Sequence, residues 1–197
     1  MSLVKDKSEM KSEDLIACGS QPIETERLLL RAFTFEDADS ARYNWACDDE
    51  VQNMYGEPSY KTHEEMMALL EKYISSYEDG LHFRWGIFEK ASSECIGQIA
   101  YFLVDAKNHF GEIEYCVGKS FQGKGYATEA TKAVIRYGFE KINFNKVQIC
   151  VRPSNLPSKK VIEKCGFTSE GTLREYFFQN GKYEDRMYFS ILKKEFK

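Results

Sequence analysis

Eleven consecutive residues, GKSFQGKGYAT from Gly118 to Thr128, place three glycines and two lysines just ahead of a helix-like run. Just before them, Glu112 and Glu114 sit two residues apart in the strand-like stretch EIEYCVG. A glycine-rich loop that opens a helix can hold a phosphate, because small residues let the anion approach successive backbone N–H groups at the positive end of the helix dipole. Two more specific phosphate loops fail here. A Walker A loop needs its first glycine where Ile113 stands, inside the strand. The dinucleotide pattern begun by Gly123 and Gly125 has Thr128 in its sixth position and no aspartate about 20 residues on. A glycine turn ahead of a core helix is the alternative to an anion site.

The elements around these residues read as follows. Arg27 to Phe33 is a first strand, and Thr34 with the acids behind it starts a helix. Thr62 caps a second helix, whose stripe is Met66, Leu69, Leu70, Tyr73, Ile74 and Tyr77 and which Gly80 stops. Three strands in antiparallel meander follow: HFRWGIFE, CIGQIAYFLV and EIEYCVG. The pattern then alternates: helix from Ala127 to about Ile142, strand from Lys146 to Val151, helix from Leu156 to Cys165. Two last strands follow, GFTSEGTLR and RMYFSILK. This is one α+β domain with a mixed sheet and helices on both faces. Residues 1–23 read as a flexible tail and 24–197 as the domain. Alternation on the fourth strand puts Glu112, Glu114 and Cys116 on one face and Ile113, Tyr115 and Val117 on the other.

Composition narrows the partners. The 197 residues carry 27 basic and 31 acidic side chains, a net charge of -4, which offers no broad basic surface for nucleic acid or an anionic membrane. Six cysteines without a C-x-x-C pair and three scattered histidines indicate no zinc site and no disulfide framework. No apolar run reaches membrane-spanning length, and the first twenty residues are too polar for a secretory signal. The consistent reading is a reduced, cytoplasmic protein, monomeric or homodimeric, whose hydrophobic last strand could offer an edge to a partner.

The run Gln122-Gly123-Lys124-Gly125-Tyr126-Ala127 resembles the Q/R-x-x-G-x-G/A signature of the GNAT acetyltransferase superfamily. ETERLLLRAFTFEDA, GQIAYFLV and VRPSNLPSKKVIEKCGF are similar to other segments of that family, and their order resembles its ribosomal-protein-alanine N-acetyltransferase branch. The resemblance implies a mostly antiparallel sheet splayed between its fourth and fifth strands, with acetyl-CoA in the gap and no metal. It implies that the backbone of Tyr115, Cys116 and Val117 pairs with the pantetheine arm. Gln122, Gly123, Lys124, Gly125, Tyr126, Ala127 and Thr128 would cradle the pyrophosphate, and Asn155 and Ser158 would lie beside the pantetheine. Asn155 is equally a helix cap.

The implied activity is transfer of the acetyl group to a primary amine. The acceptor would be the α-amine of a peptide or protein, or alternatively a polyamine or antibiotic; a coenzyme A sensor without catalysis is the rival from the binding class. Such an amine is mostly protonated near neutral pH, so a base is needed. Glu112 is similar to the strand-four glutamate used in the family, and a neighbouring Glu114 would raise its pKa. Glu175 resembles the branch's late glutamate that holds a water or the incoming amine. Val117 N–H would be the oxyanion donor. The family's thiolate-protonating tyrosine is replaced by Ile162, which leaves Ser158 for that role. Cys150 reads as a structural cysteine. Trp45, Tyr55, Tyr60 and Phe178 beside Asp48, Asp49 and Glu50 would suit a cationic acceptor, or else form a core face with an acidic rim.

Overall fold

Asp48, Thr62 and Asn155 each start a helix by giving a side-chain oxygen to backbone N–H groups of the first turn. In the computed structural model, which describes residues 14–196, these caps fix three of five α-helices: α1 (Ala38–Ala41), α2 (Asp49–Tyr55), α3 (His63–Ser76), α4 (Tyr126–Tyr137) and α5 (Leu156–Lys164). At Thr62 the cap is reciprocal. Its hydroxyl accepts from Glu65 N–H at 3.2 Å, and the Glu65 carboxylate accepts from Thr62 N–H at 3.0 Å.

Eight strands form one sheet: β1 (Ile23–Glu24), β2 (Leu28–Arg31), β3 (Phe83–Glu89), β4 (Cys95–Asp105), β5 (Phe110–Val117), β6 (Lys146–Val151), β7 (Thr168–Gln179) and β8 (Lys182–Leu192). Their order is β1-β2-β3-β4-β5-β6-β8-β7. All neighbours are antiparallel except β5 and β6. The expected fourth and fifth strands are therefore β5 and β6. Their ladder runs only from Phe110↔Lys146 to Ile113↔Ile149, while β5 continues to Val117 and β6 to Val151. The sheet opens at that point into the expected splay.

Alternation divides the apolar residues between two cores. Ile113, Val117, Val147, Ile149 and Val151 pack with Ala130, Val134 and Ile135 of α4 and Ile162 of α5. On the other face α1 to α3 bury Trp45, Met66, Leu70 and Tyr73 against Phe88, Cys95 and Cys116. No helix among the described residues is long and apolar enough to cross a membrane.

Four expectations change. The part of the supposed tail that is described, residues 14–23, lies on the domain: Ile16 N–H donates to Ile142 O, Gly19 N–H to Gly80 O, and the Trp85 indole to Gln21 O. Leu15, Cys18 and Ile23 join the first core. A segment held by backbone bonds and a few anchors carries no period to read; residues 1–13 lie outside the described part. The last strand is no edge, because β7 turns back at Asn180-Gly181 and pairs along its outer side. Helix α2, capped by Asp48 and closed at Gly56, is an element the sequence pattern does not announce. The helix expected to reach Ile142 is regular only to Tyr137 and closes in a widened turn, 138–142.

Candidate active site at the splayed strands

The first part of the site is the backbone edge of β5. Gly118 N–H donates to Ile96 O at 2.8 Å. In an antiparallel ladder the exchanging pairs recur every second residue, so Gln98 and Cys116 exchange next, and the N–H and C=O groups of Tyr115 and Val117 point the other way, into the gap left by β6. The expectation for Cys116 is thereby corrected: its backbone faces β4 and its thiol is in the second core. Gln122 Nε2 donates to Val117 O at 2.8 Å, which ties the loop to this edge.

The loop needs two of its glycines for stated reasons. A Cβ on Gly118 would stand 2.0 Å from Asn44 O, and Gly125, the residue before α4, has φ +87° in the left-handed region. Gly125 offers no side-chain cap, so the first N–H groups of α4 are presented by Tyr126, Ala127 and Thr128 at the helix's positive end. Gln122, Gly123 and Lys124 are exposed beside them. Tyr126 has backbone to offer but no free side chain: its hydroxyl bonds Glu89 and its ring lies under Arg27 at 4.6 Å. Arg27 also holds Glu129, through Nε at 2.7 Å, and Lys124 O at 2.9 Å, which fastens the loop to the turn before β2. Gly118→Ala is expected to displace the loop from α1's extension at Asn44, lowering stability by ~1–3 kcal/mol; a thermal melt checks it.

Above the gap, Asn155 Oδ1 accepts from Ser158 N–H at 3.1 Å, so Asn155 is engaged as the cap of α5. The Ser158 hydroxyl faces the Tyr115 phenol, which is buried without a full hydrogen bond; burial pushes that phenol up to about 12. Ile162 is a core residue, 2% exposed.

The second part of the site is a polar face. Register puts Glu112 beside Gln148 and Gln148 beside Ser190, with Cys150 beside Tyr188 in a parallel row. Glu112, Glu114, Gln148, Cys150, Arg152, Arg186 and Tyr188 thus share the sheet face opposite α4 and α5. Glu112 is 3% exposed. Its Oε2 accepts from Gln148 Nε2 at 2.5 Å, and its Oε1 is buried without a partner. Burial raises the Glu112 pKa above the ordinary carboxylate value. The Glu114 charge adds a smaller push, and contacts with Gln148 and Cys150 act against both. The pair of glutamates is therefore unequal: Glu114 is bonded to Arg84 Nη2 at 2.8 Å, and Arg84 also donates to Gln98 Oε1 at 2.5 Å and lies over the Tyr73 ring. Burial and the Glu112 charge raise the Cys150 thiol to about 12, so it holds its proton near neutral pH.

Walls enclose this face. The tip of the β7–β8 hairpin reaches α2, where Gln179 Nε2 donates to Asn53 O at 3.2 Å and Asn180 Nδ2 to Asn53 Oδ1 at 2.8 Å. Glu175 is exposed in a bulge of β7, at φ +50°, with its N–H bonded to Asp185. Asp185 is five residues along β8 from the Ser190 row and β7 lies beyond it, so Glu112 and Glu175 are not brought together. The cationic-acceptor patch also dissolves. Trp45 is 0% exposed, Asp48 caps α2, Asp49 pairs with Lys61, and Glu50 pairs with Lys119. Tyr55 instead meets the Gln98 amide of the Arg84 group, and Phe178 is exposed on the hairpin beside Tyr183. Arg84, Arg152 and Arg186 were not singled out from sequence; the even-numbered parity of Gln148, Cys150 and Arg152 was the signal for one of them.

An opened sheet, an uncapped helix start behind glycines and a buried carboxylate on one strand match a known arrangement. Residues 27–168 match the family described as Acetyltransferase (GNAT) domain. The chain belongs to the GNAT acetyltransferase family. It is an N-acetyltransferase of the acetyl-CoA-dependent type. It is 39% identical over 99 residues to YdaF of Bacillus subtilis, named provisionally as a ribosomal N-acetyltransferase, covering 50% of this chain and 54% of that one. It is 29% identical to a spermidine N(1)-acetyltransferase of Vibrio cholerae, covering 70% and 79%. A GNAT acetyltransferase crystal structure from Bacillus anthracis superposes with a TM-score of 0.79 at 26% identity, covering 89% and 100%. Among the described residues no three His, Cys, Asp or Glu side chains form a group that could hold a metal ion.

Proposed function

We propose that this GNAT enzyme moves the acetyl group of acetyl-CoA directly to the α-amine of a peptide or protein, with Glu112 as the base. The observation that carries the proposal is the buried Oε1 of Glu112, without a hydrogen-bond partner on the polar face, next to the strand edge that opens after Ile113. A raised carboxylate pKa brings the base closer to the amine it must deprotonate. The amine nitrogen bonds the acetyl carbon, the carbon–sulfur bond breaks, and the amine proton passes to Glu112.

The backbone of Tyr115 and Val117 lines the pantetheine arm, and Val117 N–H takes the carbonyl oxygen as it gains charge, a role worth ~3 kcal/mol per donor in comparable sites. Gln122 to Thr128 hold the pyrophosphate, with Tyr126 acting through its backbone. Asn155 sets the start of α5, and Ser158 donates a hydrogen bond to the departing thiolate, which at an ordinary thiol pKa of ~8.5 leaves as the anion and takes its proton from solvent. Glu175 is assigned to the acceptor side of the hairpin, away from the reacting amine. The ribosomal description of YdaF supports a protein acceptor; the spermidine relative supports the rival reading of a small polyamine.

Incubation with acetyl-CoA and a panel of amines, read by mass spectrometry of the acetylated product, tests this. Peptide α-amines are expected to be acetylated in preference to spermidine and an aminoglycoside. Exclusive acetylation of spermidine would replace the peptide reading, and no product despite bound acetyl-CoA would overturn the catalytic one.

A further inference from the structure

Beyond Cys150 the polar face ends in two arginines. Arg152 follows the last β6 residue, and the ladder that pairs Val151 with Met187 places it opposite Arg186 of β8. Both guanidiniums are enclosed: each side chain is 9% exposed, and Arg186 lies 4.0 Å over the Phe177 ring of the hairpin. Burying two like charges side by side is costly unless each is paired. They share one carboxylate, Glu184, whose Oε2 is 3.1 Å from Arg152 Nε and 3.7 Å from Arg186 Nη1. Exposed Lys182 contacts that same carboxylate at 3.1 Å. The nearby Asp185 carboxylate is engaged by Glu175 N–H. Arg152 Nε faces Glu184 as an ion pair without an aligned hydrogen bond, and Arg152 Nη2 is buried without a partner. The desolvated neighbourhood and the Arg152 charge push Arg186 below the ordinary arginine value.

From these observations we infer that Arg152 and Arg186 form an anion subsite that selects acceptors carrying a carboxylate close to the amine. The inference deepens the acetyl-transfer reading and rests on it for the location of the amine. Cys150 contacts the Glu112 carboxylate, and Arg152 lies two residues further on the same face, about 6.6 Å along the strand. That spacing fits an amine at Glu112 and an acidic side chain on the first or second residue of a peptide. A planar guanidinium with free donors binds a carboxylate in paired, charge-assisted hydrogen bonds. The same charge repels a polyamine, which carries further ammonium groups and no anion.

The experiment uses the full chain with acetyl-CoA and amidated peptides that begin Ala-Glu, Ala-Gln and Ala-Lys, with free aspartate as a fourth acceptor. kcat/KM is expected to be at least ~10-fold higher for Ala-Glu than for Ala-Gln, mainly through KM, with Ala-Lys lowest. Arg152→Gln is expected to bring the Ala-Glu to Ala-Gln ratio within about twofold of one, and Arg152→Lys to restore part of it. A purely structural arginine would lower all peptides alike and leave the ratio unchanged, which overturns the proposal. If Arg152→Gln fails to fold, the wild-type ratio decides. Aspartate as the best acceptor supports the same subsite and assigns the carboxylate to a small molecule. Calorimetric binding of Ala-Glu and Ala-Gln to the coenzyme A complex separates the two readings. Tenfold tighter Ala-Glu binding without turnover keeps the anion subsite and ends the reading of a peptide α-amine as the acceptor. Turnover with equal peptides, or with Ala-Lys preferred, ends the anion subsite alone.

Discussion

Glu112→Gln is expected to lower kcat by ~10²–10⁴-fold, the usual contribution of a positioned base, while acetyl-CoA binding stays within about twofold. The substitution keeps the shape of the side chain and one acceptor oxygen for Gln148 while removing its charge and its ability to take a proton. The pH profile gives a second reading. A base must be deprotonated, so wild-type kcat/KM should fall as pH drops through the Glu112 pKa, which burial has raised above the ordinary carboxylate value. That limb should vanish in the variant and leave only the titration of the amine substrate near ~8. Stability should move in the opposite direction to activity. A carboxyl whose folded-state pKa is raised binds more protons folded than unfolded, so the fold loses stability as pH rises between the two values. The variant escapes that loss. Its Tm is expected to exceed the wild type's at pH 8 and to match it at pH 4. A variant that kept full turnover at pH 7 would remove Glu112 from the mechanism.

The largest stability effect is expected at Trp45. Its side chain is fully enclosed with Ala41, Met66, Leu70 and Phe88 in the core beneath α1 to α3. Trp45→Ala should cost ~3–5 kcal/mol, from lost burial and the cavity left behind. At about 2–4 °C per kcal/mol for a chain of this size, this is roughly 6–20 °C in Tm. Phe178→Ala, on the exposed hairpin at 60% accessibility, should stay within about 0.5 kcal/mol. Thermal melts of the two variants decide between a core tryptophan and an acceptor-binding one. Acceptor binding predicts a small change in Tm and a large one in KM for Trp45→Ala.

Trp45 also shows where reading the chain alone stops. An aromatic between acids looks the same in one dimension whether it lines a cleft or fills a core. Asp48, Asp49 and Glu50 were legible as a cluster, yet one is spent on a helix cap and two on the lysines Lys61 and Lys119. Lys119 lies far from Glu50 in sequence, and no spacing rule pairs them. The N-terminal residues 14–23 carry no legible pattern for a related reason, because their anchors on Gly80, Trp85 and Ile142 are tertiary.

Local physics was decisive elsewhere. Apolar, β-branched and aromatic runs bounded by turn residues marked β3 to β6 almost to the residue, and β6 alternates because its two faces differ in burial. Thr62 and Asn155 announced their helices because orphan N–H groups need a nearby oxygen. The glycines from Gly118 to Gly125 announced the loop because only they accept a left-handed φ or a carbonyl at Cβ distance. These are short-range demands, and a sequence states them directly. The protonation bias of Glu112, the engagement of Glu114 by Arg84 and the meeting of Arg152 with Arg186 depend on what the folded sheet places alongside and shuts away from water. Charge in a low-dielectric interior answers to three-dimensional neighbours, and only the tertiary structure decided that Glu114 is ion-paired with Arg84 while Glu112 is buried beside Gln148.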